Sequence, residues 1–392
     1  MKRLRTFIFW THLVVGLAAG LVILAMSVTG VLLTYEKQLI AWADTRAYQV
    51  AAPPAGSRRL TIDELLERVR AQGHEPVSIL LRSTLTRPAE VTTTRSGVRM
   101  IDLYTGNDLG APLAGVRTFF RTVTNWHRWL GATTPGTGRT IGRAVTGAAN
   151  LGFLFLVVSG FYLWFPRGWT WPKFRSVLWF RRGLRAKARD FNWHNVIGFW
   201  SAIPLALIVF SGAVISYPWA SNLVYQLAGE TPPSPGRGAV ARANRGNLGP
   251  AAAELKPAAP FEELWQRAEA HMPSARSISM RYPESNTAPI VFTLDGGSGG
   301  QPQSRATLMF NPDSGEVVRW EPFSSLSRGR QARSILRFAH TGEVAGLAGQ
   351  TVAGVVSLGG AVLVWTGVAM AWRRLFAKKQ TGAAITRESR AA

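Results

Sequence analysis

Four apolar runs divide the chain, at about Phe7–Leu33, Ile141–Phe165, Val196–Tyr217 and Gly346–Trp372. Each approaches or exceeds the roughly 20 residues that cross a bilayer as a helix. None carries Lys, Arg, Asp or Glu at its centre, and Arg143 lies at the edge of the second. The pattern predicts four transmembrane helices separated by two long polar connections, about 36–140 and 218–345. Met1-Lys2-Arg3-Leu4-Arg5 before the first run looks like the start of a secretory signal. The run is longer than the roughly 7–15 apolar residues of a signal core, and His12 lies inside it. An uncleaved first helix is expected.

The connections repeat each other. At a constant offset of 199, Glu64 meets Glu263, Leu65 meets Leu264, Arg68 meets Arg267 and Ala71 meets Ala270. Ser78, Ile79 and Arg82 meet Ser277, Ile278 and Arg281 at the same offset. Each copy opens with a short amphipathic helix. In the first copy Thr61 is the expected N-cap, with Glu64 three residues on as a capping box requires. Strand-like stretches follow at Pro76–Ser83 and Val98–Tyr104, then at Ile278–Arg281, Ile290–Leu294 and Ala306–Phe310. Asp102–Gly106 and Asn311–Gly315 read as hairpin turns. Pro- and Gly-rich linkers precede the copies at Ala51–Gly56 and Thr231–Ala259, and Gly296–Gly300 reads as a loop tip.

The expected fold class is therefore membrane α+β: a four-transmembrane-helix bundle built as a tandem repeat, with two external α+β modules. In chain order the expected pieces are transmembrane helix 1 (1–35), module 1 (36–118), an interfacial helix with transmembrane helix 2 (119–167) and a basic loop (168–190). Transmembrane helix 3 (191–219), module 2 (220–330), an interfacial segment with transmembrane helix 4 (331–374) and a tail (375–392) follow.

Charge sets the orientation. Lys2, Arg3 and Arg5 precede the first helix, eight basic residues from Arg167 to Arg189 fill the loop after the second, and Arg373, Arg374, Lys378 and Lys379 follow the fourth. By the positive-inside rule these segments and both termini are cytoplasmic, and the two modules lie on the periplasmic side of a bacterial inner membrane. The net charge of +23 is explained by this bias and by attraction to anionic lipid of the surrounding bilayer. No basic and aromatic alternation on a soluble module points to nucleic acid, so no nucleic-acid partner is expected. A hydrophobic content of 47% excludes a disordered chain. There is no cysteine, which excludes disulfides, thiolate nucleophiles and haem attached through Cys-x-x-Cys-His.

Of six histidines, four are matched by the repeat. His12 and His194 start the first and third helices, each with glycine four residues later (Gly16, Gly198) and eighteen later (Gly30, Gly212), and tyrosine twenty-three later (Tyr35, Tyr217). His127 and His340 lie just outside the second and fourth helices. His74 and His271 have no counterpart and are expected to be ordinary surface residues. The eighteen residues from His12 to Gly30 span roughly 27 Å of helix, so one matched pair is expected near each membrane face. Imidazoles so placed suggest axial ligands to two haem b groups, His12 with His194 at the inner iron and His127 with His340 at the outer. Two ligands per pair, with no carboxylate at that depth, suit zinc poorly, and a proton relay would usually include membrane carboxylates. A lone interfacial histidine is more often a headgroup-level polar residue. Gly16 and Gly198 lie one turn from their histidines, where they would admit a porphyrin or allow close helix packing. The tryptophans at the helix ends read as an aromatic belt.

The Trp-Thr-His and Trp-His starts of helices one and three (10–12, 193–194) and the Val-Ser-Gly-Phe-Tyr-Leu-Trp-Phe-Pro-Arg exit of helix two (158–167) form a recognisable combination. His-Arg-Trp-Leu-Gly (127–131), His-Thr-Gly (340–342) and the paired modules complete it. The chain resembles the bacterial PepSY-associated transmembrane proteins over nearly its whole length, and among these the FoxB-type inner-membrane siderophore reductases. The resemblance implies PepSY-like modules, an inner haem on His12 and His194, an outer haem on His127 and His340, and reduction of a periplasmic ferric siderophore. Neither His-Glu-x-x-His nor a recognisable nucleophile setting points to a peptidase. Without a glycine-rich dinucleotide fingerprint in a strand–helix context, the electron donor is expected to be separate, whether a quinol, a flavin or a cytoplasmic reductase. The rival readings are an iron or siderophore transporter, which the repeat alone would suit, and a non-enzymatic PepSY-type regulatory or binding protein.

Overall fold

The computed structural model describes residues 2–48, 58–84, 86–94, 97–165, 170–233, 257–283 and 288–376. The linker Ala51–Gly56, most of the linker Thr231–Ala259, Arg167, Lys378, Lys379 and nearly all of the tail lie outside the described residues. Along the chain come α1 (Lys2–Leu33), α2 (Glu36–Ala47), α3 (Ile62–Ala71), β1 (Pro76–Arg82), β2 (Ala89–Thr93), β3 (Gly97–Ile101) and β4 (Asp108–Gly110). Next are α4 (Ala114–Trp129), α5 (Thr137–Trp164), α6 (Trp171–Leu178), α7 (Ala186–Ser216), α8 (Pro218–Leu227) and α9 (Phe261–His271). The second group of strands is β5 (Ser277–Arg281), β6 (Ile290–Asp295), β7 (Arg305–Phe310) and β8 (Val317–Pro322), followed by α10 (Arg328–His340) and α11 (Gly346–Phe376).

The chain folds as two compact units. One comprises Met1–Thr34, Val123–Ser216 and Thr351–Ala392, and is helical. Its four long helices, α1, α5, α7 and α11, are each apolar and long enough to cross a membrane. Each extends beyond the apolar run that predicts it, because helix continues into the flanking polar residues once the backbone is already ordered. Helix α5 packs against both α1 and α7, and a small core joins Leu205 and Val209 of α7 to Val356 of α11 with Phe153 and Val157 of α5 against it. Asn150, buried in α5, donates from Nδ2 to the Val209 carbonyl at 2.9 Å. In a lipid-like interior such an amide needs an internal partner, and this one ties two helices together.

The other unit, Tyr35–Thr122 with Tyr217–Gln350, contains one antiparallel sheet in the order β4-β3-β2-β1-β5-β6-β7-β8. The two groups of four strands thus form a single continuous sheet. They join where β1 pairs with β5, in a register that puts Leu80 opposite Ser279. These two residues are 199 positions apart, so positions matched in sequence meet at the centre of the seam. Helices α3 and α9 pack on the face that buries Ile79, Val91, Met280, Phe292, Leu308 and Phe310 together with Leu65, Leu264 and Trp265. Alternation along β5 and β7, and along β6 as far as Leu294, puts their apolar side chains on one face.

The helices cap each other across the seam. Asp63 of α3 accepts from the backbone N–H groups of Phe261 at 3.0 Å and Glu262 at 2.8 Å, and Glu262 accepts from the N–H of Ile62 at 2.8 Å. Each carboxylate satisfies donors that the other helix start leaves open. The expected capping box at Thr61 and Glu64 is present. Both hairpin turns carry glycine at positive φ, Gly106 at 71° and Gly315 at 67°. Arg68 donates to Thr105 O and Arg267 to Gly315 O, holding each turn to its helix. Strands β2, β4 and β8 escaped the pattern reading. β4 has three residues, too few for a period of two to show, and burial does not alternate along β8.

Candidate functional site

His12 and His194 are held in the same way by neighbouring helices. His12 Nδ1 lies 2.8 Å from Ser159 Oγ on α5, and Ser159 turns its hydroxyl back to the Phe155 carbonyl at 2.6 Å. His194 Nδ1 lies 2.9 Å from Thr366 Oγ1 on α11, whose hydroxyl reaches the Val362 carbonyl at 2.8 Å. A hydroxyl has one hydrogen and two lone pairs. With that hydrogen committed to the helix carbonyl, the oxygen accepts Nδ1–H from the imidazole. Nε2 of both rings is then the unprotonated nitrogen, the form in which a histidine ligates a metal.

Glycine makes room for each ring. A Cβ at Gly160 would sit 3.3 Å from His12 Cε1, and one at Gly367 would sit 3.4 Å from His194 Cε1. The unit is therefore hydroxyl-then-glycine facing a histidine, and it occurs again at Thr29-Gly30. Thr29 donates to the Ala25 carbonyl at 2.6 Å and faces His127 Nδ1 at 2.9 Å. Sequence reasoning passed over Ser159, Thr366 and Thr29. A signal for them is present: Ser211-Gly212 stands to Thr29-Gly30 at the same spacing as His194 to His12, and every one of the four long helices carries at least one such dipeptide, α5 three.

Both histidines line a cavity of about 1260 Å³ within the helical unit. Gly16 and Gly198 line it too, and there a Cβ would make only ordinary contact, at 3.8 Å from Leu156 and 3.7 Å from Leu363. Phe9, Trp10, Phe161, Trp164 and Phe199 supply aromatic wall, with Trp164 and Phe199 stacked at 4.5 Å between centroids. Arg5, Arg185, Lys187, Arg373 and Arg374 add positive charge. Arg5 donates to Leu163 O at 2.6 Å, tying α1 to the end of α5. Buried Asp190 accepts from Arg189 at 2.9 Å and Arg373 at 2.7 Å, tying the start of α7 to the end of α11. Two buried donors in the cavity wall, Arg373 Nη1 and Trp164 Nε1, have no acceptor among the described residues. No group of three His, Cys, Asp or Glu gathers among the described residues, so the pair offers a metal two imidazoles.

These features fit a haem. The cavity is at least as large as the roughly 300–1,000 Å³ of ordinary cofactor sites. Two histidines with engaged Nδ1 atoms line it, and most of the rest of its wall is apolar and aromatic. Its orphaned donors and arginines match the carboxylates that haem carries at one edge.

The other histidines divide between the units. His127, near the end of α4, belongs to the helical unit. The chain then turns sharply through Leu130 at φ 51° and Gly131 at φ 87° into α5, where Gly142 sits so close to the Trp129 carbonyl that no Cβ would fit. His340 ends α10 in the sheet unit. It is followed by Gly342 at φ 73°, whose missing Cβ lets it pack on the backbone of Gly349. Both histidines thus end a helix at a turn that a larger residue would disrupt. His74 departs from the expectation of a surface residue. Its side chain is 18% exposed and its Nε2 lies 3.0 Å from Asp108 Oδ2. Burial would raise the Asp108 carboxyl, but bonds from Arg99, the Gly110 N–H and His74 together hold it below its ordinary value. His271 is exposed, with Nδ1 2.8 Å from Arg267 O.

The model of the PepSY-associated TM region matches residues 9–374. The chain belongs to this family. The match takes in most of each of the four long helices and the whole eight-stranded sheet, which agrees with the family resemblance read from the histidine and glycine motifs. No curated protein matches the chain. Membership of the PepSY-associated TM family and the four apolar helices make it a membrane protein.

Proposed function

We propose that this PepSY-associated membrane protein carries single electrons across a bacterial inner membrane on two b-type haems and reduces a ferric siderophore on the periplasmic side. The reading makes it an oxidoreductase of FoxB type, a tandem repeat with cytoplasmic termini and periplasmic PepSY-like modules. The seam pairing of Leu80 with Ser279 and the reciprocal caps of Asp63 and Glu262 support the repeat.

The observation that carries the redox reading is the shared setting of His12 and His194. Each has its Nδ1 against a hydroxyl already committed to a helix carbonyl, which leaves Nε2 as the ligating nitrogen, and both residues line one cavity. Residues that only sit at a headgroup boundary need no such matched orientation. A bound haem would supply reversible one-electron chemistry at its iron. The protein's part is to fix both imidazoles in the ligating tautomer, to exclude water with the aromatic wall and to neutralise carboxylates with Arg373 and its neighbours. The second haem rests on the sequence matching of His127 with His340.

In the complete reaction one electron from a quinol, flavin or reductase on the cytoplasmic side converts Fe³⁺ of the chelate to Fe²⁺. The weaker hold of oxygen ligands on Fe²⁺ then favours release. The test is a visible spectrum of the purified protein before and after dithionite. A b-type spectrum that sharpens on reduction is expected, with His12→Ala or His194→Ala losing the inner haem only. Colourless protein after haem-supplemented expression would refute the proposal. Reduction of several ferric chelates in the presence of an Fe²⁺ trap would identify the acceptor.

A further inference from the structure

On the sheet face opposite α3 and α9, three side chains form a row. Thr293 of β6 pairs with Thr307 of β7, which pairs with Glu321 of β8. Alternation turns all three away from the apolar core. Together with Arg330, Ser334 and Phe338 of α10, each about one helical turn from the next, they line a cavity of about 220 Å³. Arg305 also lines it.

The arginines in this pocket are held but not exhausted. Arg305 Nε donates to buried Asp295 at 2.7 Å, and among the described residues no acceptor takes up its two Nη groups. Its guanidinium stands 5.8 Å from the centroid of the Phe338 ring. Arg330 forms a two-pronged pair with Glu321, at 2.8 and 3.1 Å. Glu321 is shared with Arg319, so one carboxylate serves two guanidiniums and the local balance is positive. The rest of the lining is apolar, including Leu326 and Ala306. Fixed guanidinium donors, hydroxyls and an aromatic wall in one small concavity match a planar oxyanion on a flat apolar body.

We propose that this pocket binds an aromatic oxyanion, a benzoate- or catecholate-type group, with its oxygens on Arg305 and the two threonine hydroxyls and its ring against Phe338. The volume admits one such ring and not a whole polydentate chelate, so the ligand is either a free aromatic acid or one arm of a larger ligand. The site requires no haem and stands independently of the redox reading.

The probes are 2,3-dihydroxybenzoate and its ferric complex, titrated calorimetrically into the full chain in nanodiscs, with cyclohexanecarboxylate and inorganic phosphate as comparison ligands. Saturable binding of the dihydroxybenzoate is expected, with both comparison ligands weaker. Arg305→Gln should weaken it about tenfold, the size of one charge-assisted hydrogen bond. Because Arg305 also satisfies Asp295, Ser334→Leu provides a second variant that fills the cavity and leaves that pair intact, and it should abolish binding. Glu321→Gln should tighten binding several-fold by freeing Arg330, an effect that loss of structure would not produce. If the ferric complex competes with the free acid, the occupant is an arm of a chelate; if only the free acid binds, it is a small metabolite. Absence of saturable binding, or binding unchanged by both Arg305→Gln and Ser334→Leu, would overturn the site.

Discussion

Ser159→Ala tests the site at the atom that fixes its chemistry. The substitution removes the oxygen 2.8 Å from His12 Nδ1 and leaves the ring, the helix and the cavity otherwise intact. Losing the acceptor has two consequences. The imidazole is no longer held in the Nδ1–H tautomer, and the hydrogen bond that makes Nε2 a stronger donor to metal is gone. Removal of such partners typically lowers metal affinity about 10- to 100-fold, equivalent to about 1.4–2.7 kcal/mol. A more basic imidazole favours ferric over ferrous iron, so its loss should move the inner potential upward. If about a tenfold preference for the oxidised form is lost, the one-electron potential rises by about 59 mV. Ser159→Thr keeps the oxygen and should retain wild-type behaviour. The assay is a redox titration in the visible region on purified protein, with haem content per chain from a pyridine extract. An inner haem with unchanged content and unchanged potential in Ser159→Ala would refute the reasoning, because the bond would then have no role in ligation.

The glycines give a sharper steric test: Gly160→Ala and Gly367→Ala place a methyl 3.3–3.4 Å from an imidazole carbon and should lower inner haem content. Asp63→Ala leaves two N–H groups of α9 without their acceptor and should destabilise the sheet unit by about 1–2 kcal/mol in a chemical denaturation monitored by tryptophan fluorescence. Trp265, 1% exposed at the centre of the sheet core, should cost about 3–5 kcal/mol when replaced by alanine, measured in the same way. Glu64 is drawn down to about 2, first by the Thr61 N–H and then by Arg58. Glu321 is lowered chiefly by Arg330. A carboxylate depressed in the folded state stabilises above its unfolded value of about 4.3 and loses that contribution as pH falls through its folded value. Thermal melts should therefore drop between about pH 4 and pH 2, and Glu321→Gln should flatten part of that fall.

The sequence by itself determined the membrane helices, because an apolar run of sufficient length has one low-energy solution in lipid. It also determined the helix start at Thr61, the two glycine turns and the strand positions of β1, β5, β6 and β7, where local chemistry or a period of two is strong. The candidate ligands His12 and His194, with Gly16 and Gly198 beside them, were legible from spacing alone. What joins them was not. Ser159 lies 147 positions from His12 and Thr366 lies 172 from His194, and a hydroxyl-glycine dipeptide in an apolar helix does not by itself say which imidazole its lone pair faces. Likewise the matches at an offset of 199 say nothing of which strands pair, and only tertiary structure joins the eight strands in one sheet. Strand pairing depends on which edges meet in space, and the edges of β1 and β5 found each other through backbone groups that every residue possesses. The same holds for Asp63 and Glu262, which read as ordinary first-turn acids of their own helices and serve instead as caps on each other's.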